Sequence, residues 1–309
     1  MTQRTVARVA NDAVHILAEG PVWDAKRSQL LWVDIRRGLV AFGRLVGDGS
    51  VAITDERRFD ETVGAVAVST DGDLLIAGAE SLLVQSAAGD LHRGPWILPP
   101  DSGRRLNDGK VDPAGRFLIG SLDLTDAGLS GETLTIIDSD ATIRVLDSDL
   151  TLSNGLAWST NGRTLFSVDT LSRIVYRRSY DSEHGTTGGR QVFLQLSSGY
   201  PDGMCMDAED HLWIALWGLG EVHRYSPDGD LVAIVETTAP HTSSVAFAGP
   251  LLDTLVITTA TQGLNTNELH EHPDSGKLFT VTPGVLGAPV AHWGGFTASP
   301  NTHPLVRTL

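Results

Sequence analysis

The chain has 309 residues, 41% hydrophobic and 20% charged, which is enough apolar material for a large core and too much for a disordered chain. Twenty-three Lys and Arg against 38 Asp and Glu leave a formal net charge of −15, a field that repels nucleic-acid phosphates and anionic membrane surfaces but not cations or neutral polar ligands. A single cysteine, Cys205, excludes an intramolecular disulfide and a cysteine zinc cluster. It suits a reducing cytoplasm, and the N-terminus lacks the apolar run of a signal peptide, so a cytoplasmic location is expected. No stretch approaches the roughly 18 apolar residues of a membrane span.

Along the chain one unit recurs: a Gly, a short apolar run, a polar turn, a second run of β-formers, a short turn and a third run. Clear copies open at Gly20, Gly64, Gly155 and Gly203, and looser ones at Gly109 and Ser244. Their spacing of about 45 residues is that of four-stranded propeller blades. Asp71-Gly72, Asn161-Gly162 and Asp228-Gly229 fall between apolar runs, where a hairpin needs a positive φ. Residues 1–309 are therefore expected to form one all-β domain, a six-bladed β-propeller, with about the last 14 residues as a loose tail. No helix of ordinary length is expected.

If each unit opens with its innermost strand, the connections between second and third strands share one face. Most are short, as at Arg36-Arg37-Gly38. Two are long, from Asp123 to Gly131 and from roughly Thr259 to Gly276, and long loops gathered on one face of a ring suggest function. His270-Glu271-His272, in the second of them, reads as polar loop. The seven Trp read mostly as second-strand core, with Trp217 a candidate for the channel mouth. Met204, Cys205 and Met206 read as packing.

The residue before each opening Gly, or its equivalent, is Glu19, Val63, Asp108, Asn154, Asp202 and Ser243. In a propeller this position lies where the inner strand enters the central channel, so these side chains converge. Glu19, Asn154 and Asp202 together resemble the all-oxygen shell that hard divalent cations prefer. The competing reading is local, because Asp-Gly and Asn-Gly are also common turn dipeptides. Nearby, Arg104-Arg105-Leu106-Asn107-Asp108-Gly109-Lys110 is the densest basic spot; Arg105 and Asn107 are either ligand-binding groups at the channel mouth or part of a solvated loop. HExxH, GxSxG and EF-hand patterns are absent from the sequence.

These residues resemble the senescence marker protein-30, gluconolactonase and luciferin-regenerating enzyme family. The matching segments are Glu19-Gly20-Pro21-Val22-Trp23 with Leu31-Trp32-Val33-Asp34-Ile35, then Arg105 to Ser121, Ser153 to Ser159 and Pro201 to Ala215. Thr242 to Ala260 and Gly276 to Gly287 extend the match over nearly the whole chain. The resemblance implies a six-bladed propeller with one divalent metal in its channel and sugar lactones as substrates. It places the metal ligands on Glu19, Asn154 and Asp202 and substrate contacts on Arg105 and Asn107. Where animal members carry a Glu that grips sugar hydroxyls, the chain reads Leu122-Asp123-Leu124-Thr125. Counting puts Thr125 at the Glu position, with Asp123 nearby as a second candidate contact.

The expected activity is metal-dependent opening of a sugar lactone or similar small cyclic ester, with Asp202 holding the metal and accepting the proton of the attacking water. An oxygen-dominated shell admits Ca²⁺, Mg²⁺, Mn²⁺, Fe²⁺ or Zn²⁺. Two other readings remain at this point: a non-catalytic calcium-binding or regulatory propeller, and an esterase or phosphotriesterase.

Overall fold

Runs such as Leu30-Leu31-Trp32-Val33 and Leu212-Trp213-Ile214-Ala215-Leu216 are apolar at every position, which suits a strand covered on both faces. The computed structural model, which describes residues 2–125 and 130–297, supplies that cover by standing six twisted sheets side by side around an axis. Leu30 and Trp32 pack on Ala248, Val256 and Leu278 of the sixth sheet, while Leu31 and Val33 pack on Val66 and Ile76 of the second. Among the described residues there are six such apolar clusters, and each fills one junction between neighbouring sheets. The core therefore lies between the blades, and the axis is left to polar groups.

In each sheet the first three strands form an antiparallel meander that runs outward from the axis in chain order. The inner strands are Ala18–Asp24, Ala65–Val68, Arg104–Val111, Ser153–Trp158, Tyr200–Met206 and Thr242–Ala248, each touching the next around a closed ring. This is a six-bladed propeller, as expected. The hairpin glycines Gly72, Gly162 and Gly229 have φ of 98°, 69° and 92°. At the corner after several inner strands a buried Asp holds the turn; Asp207 accepts Glu209 and His211 backbone N–H groups on one oxygen and the Trp213 indole on the other.

The ring is closed by a device that the tandem repeat does not reveal. The sixth blade takes its first three strands from Thr242–Ala248, Thr254–Thr259 and Phe279–Val281, and its outer strand from Arg8–Val9 at the other end of the chain. Gln3–Val6 then adds to the fifth blade as a parallel edge strand.

Two expectations need correction. Trp32, Trp213 and Trp217 alone lie on second strands; Trp23 and Trp158 are on inner strands, Trp96 is on an outer one, and Trp293 pairs across to Ser69. His270 and Glu271 end a short helix, Thr266–Glu271, nucleated by a capping box between Asn265 and Glu268. Of the expected loose tail, Phe296 packs edge-on against Trp293 and Thr297 donates to Ser139 O, whereas residues 298–309 lie outside the described residues. Residues 126–129 of the first long loop also lie outside them. No helix among the described residues is long and apolar enough to cross a membrane.

His15 joins the two ends of the ring. Its Nδ1 donates to Gly276 O at 2.9 Å, and its Nε2 accepts the Trp32 indole N–H at 3.0 Å, so the ring must be neutral. Burial holds its pKa below the ordinary 6.5. Between that lowered value and 6.5 the unfolded chain binds a proton that the folded chain refuses, so this contribution is whole above about pH 6.5 and is lost as the pH falls. His15→Phe should lower neutral-pH stability by about 1–3 kcal/mol by orphaning the Trp32 N–H. It should also flatten the acid-side decline in melting temperature; an unchanged slope would assign that decline elsewhere.

Candidate functional site

In five of the six inner strands the pairing with the second strand slips once, and always at the same place. The slips fall between Glu19 and Val22, Leu106 and Gly109, Asn154 and Leu156, Pro201 and Met204, and Thr242 and Ser244. A bulge bends the strand and re-aims the side chain it carries. Asp108-Gly109, Asn154-Gly155 and Asp202-Gly203 are thus bulges inside strands, and the alternative reading of them as hairpin turns does not hold. The glycines have a packing reason: a Cβ on Gly155 would strike Asp202 O, and one on Gly203 would strike the Ser244 side chain, each in the next blade.

The bulges bring Glu19, Asp108, Asn154 and Asp202 to the axis, with Arg105 and Asn107 beside them, and all six are about 5% exposed. The Glu19 carboxyl is pushed well above its ordinary range by burial and then by the charges of Asp202 and Asp108, with Arg105 opposing. Asp202 is likewise raised, by burial and by Asp108, while the Gly203 N–H and the Asn154 amide pull the other way. Asp108 is raised by burial, partly offset by Lys110. These carboxylates share one small volume without enough positive charge to neutralise them.

A hydrogen-bonded frame fixes their neighbours. Arg105 Nη1 donates to Asn107 Oδ1 and to Leu106 O, both at 2.9 Å. Asn107 Nδ2 donates to Ser153 O at 3.0 Å and to Asn154 Oδ1 at 3.3 Å, so Asn107 links the guanidinium of one blade to the amide of the next. Asn154 Nδ2 donates to Thr170 Oγ1 at 3.2 Å, and Thr170 in turn donates to Pro201 O at 2.9 Å. Thr170 orients Asn154 across the junction between the fourth and fifth blades. Nothing in the sequence marks it, because it stands 16 residues from Asn154 at the end of another strand.

The remaining candidates lie apart from this cluster. Thr125 donates its N–H and its hydroxyl to the Asp123 carboxylate, at 2.8 and 2.6 Å, on the rim of the third blade. The two form one local turn there, exposed at Thr125. Trp217 stacks on His241 with ring centroids 4.1 Å apart. Met204, Cys205 and Met206 are buried, and burial pushes the Cys205 thiol up to about 12, so it supplies no thiolate.

Among the described residues no group of three or more His, Cys, Asp or Glu stands close enough to cage a cation. A metal on the axis would need the amide oxygen of Asn154 beside Glu19 and Asp202. The chemistry of that set fits a hard divalent ion: the donors are all oxygen, the carboxylates repel, and Asp202 Oδ1 is buried with no hydrogen-bond partner.

A family model described as "SMP-30/Gluconolactonase/LRE-like region" matches residues 17–261. A pentonolactonase from Haloferax volcanii is 32% identical over 92% of this chain and 97% of its own. A 6-deoxy-6-sulfogluconolactonase from Pseudomonas putida is 33% identical over 88% of this chain and 93% of its own. Among solved structures, a calcium-binding protein, regucalcin, from Agrobacterium tumefaciens superposes with a TM-score of 0.84 at 26% identity, covering 99% of both chains.

If like charge strains the axis, Asp202→Asn in the presence of chelator should melt at or above the wild-type temperature. Divalent cation at about 100 times its Kd should raise the wild-type melting temperature by about 5 °C, corresponding to about 2.7 kcal/mol, and leave the variant unmoved. An equal cation shift in both proteins would place the ion elsewhere.

Proposed function

The chain belongs to the SMP-30/gluconolactonase/LRE-like family, and from that premise we propose that it is a lactonase that opens a sugar lactone or similar small cyclic ester. Its divalent cation would be held by Glu19, Asn154 and Asp202. The observation that carries this reading is the buried axial cluster, whose carboxylates feel one another's charge, with its unpartnered Asp202 Oδ1.

When bound, the cation supplies positive charge that polarises the ester carbonyl and offsets the negative charge developing on its oxygen. Asp202 takes the proton of the attacking water, with its carboxylate held in place by the backbone N–H of Gly203. Arg105 donates to the substrate's oxygens from a guanidinium already held by Asn107 and Leu106 O, so its orientation costs little on binding. Asn107 has both amide hydrogens committed to Ser153 O and Asn154 Oδ1, and its part is to hold Arg105 and Asn154 in register. Attack by water needs no covalent intermediate.

A second reading, a calcium-binding propeller without turnover, has the description of the Agrobacterium protein in its favour. One experiment separates the two, with the phosphotriesterase alternative as a third arm. Hydrolysis of gluconolactone, xylonolactone and paraoxon is followed by pH indicator with and without chelator. We expect chelator-sensitive lactone turnover well above spontaneous opening, reduced about 10²–10⁴-fold by Asp202→Ala. Cation binding without turnover of any ester would establish the binder instead.

Substrate choice rests on the rim of the third blade. With Thr125 where animal relatives carry the sugar-gripping Glu, and Asp123 already engaged by Thr125, the chain should select less sharply for polyhydroxylated six-carbon lactones. In a lactone panel, Thr125→Glu should raise the preference for gluconolactone over smaller lactones by about tenfold, in line with a charged hydrogen bond. If instead Asp123→Ala collapses gluconolactone turnover and Thr125→Glu changes nothing, Asp123 carries the contact.

A further inference from the structure

The central channel has a second end. On the face where first-to-second strand turns lie, a cavity of about 450 Å³ opens among the inner strands of all six blades and is partly covered by the C-terminal segment around Val290. That volume lies within the range of about 300–1,000 Å³ typical of small-molecule sites. Much of its wall is apolar, including Val22, Val66, Met206 and Phe247.

Its charged groups are one-sided. None of the described residues lining it is Asp or Glu, although the chain has a net charge of −15. Lys110 reaches across the channel from the third blade and donates from Nζ to Met204 O in the fifth, at 2.6 Å. An ammonium carries three donors, and that carbonyl takes one of them. Trp23 and Trp158, on opposite sides of the wall, are each more than nine-tenths buried, and neither indole N–H has an acceptor in the protein. Buried donors without acceptors are uncommon in a folded protein and mark a place where an acceptor is missing.

We propose that this cavity is a second small-molecule site, separate from the axial oxygen cluster, which binds a monocarboxylic acid with a compact apolar body. The carboxylate meets the Lys110 ammonium at the inner end, and the apolar body lies against Val22, Val66, Met206 and Phe247. A neutral ligand forgoes the ion pair.

The test is calorimetric titration of the full chain with benzoate and hexanoate, set against benzamide and hexanamide. We expect one acid bound per chain, with both amides at least about tenfold weaker, as loss of one charged hydrogen bond implies. Binding should persist in excess chelator and in Asp202→Asn. It should weaken about tenfold or more in Lys110→Met, recover in Lys110→Arg, and be blocked by Val290→Trp, a change at a position 43% exposed at the cavity's mouth. If Lys110→Met does not fold, the acid-over-amide preference and the Val290→Trp block decide the matter. Loss of acid binding with chelator or in Asp202→Asn would place the anion at the axial cluster and overturn the proposal. Equal binding by the wild type and folded Lys110→Met, equal binding of acid and amide, or no binding of either acid would do the same.

Discussion

Inner strands meet so closely around one axis that the positions after Asn154 and Asp202 have room for a hydrogen and little else. A side chain at Gly64, Gly155 or Gly203 would collide with the neighbouring blade's backbone or side chain. Closure of the ring imposes this, and much else follows from it. The slips in strand pairing, which fall at one level of the ring, turn Glu19, Asp108, Asn154 and Asp202 toward a common point. The oxygen cluster is in this sense a product of ring geometry as much as of residue choice.

Concentrating carboxylates in a buried volume is unfavourable unless charge of the other sign is supplied. The frame accepts this strain because it is stiff. Arg105, Asn107, Asn154 and Thr170 form one hydrogen-bonded chain across the third, fourth and fifth blades, and Ser243 ties the sixth blade to Ala18 O of the first. Six apolar clusters behind them resist splaying of the blades. Preorganised dipoles and charges of this kind favour a reaction in which negative charge develops at a fixed place.

Lys110 divides the channel between two environments. On one side its charge lowers the cost of an ionised Asp108, and on the other it faces the apolar cavity and the Cys205 thiol. An amino group reaching from the third blade to the fifth also braces the ring across its width. The two ends of the channel thus differ in charge: carboxylates crowd one, and the Lys110 ammonium faces the other.

The sequence by itself determined what repeats. Blade number, the turns at Gly72, Gly162 and Gly229, and the shared register of Glu19, Asn154 and Asp202 are all readable, because each is a short-range pattern copied about every 45 residues. Membership of the family was equally legible from strings such as Asn107-Asp108-Gly109-Lys110 and Pro201-Asp202-Gly203. The tertiary structure decided whatever depends on contact between blades. The outer strand of the sixth blade comes from Arg8–Val9, and Asn107 spends its amide on Asn154. Thr170 supports that amide from a distance, and Lys110 crosses the channel. The sequence marks none of these, since each partner lies on a different strand and meets the other when the ring closes.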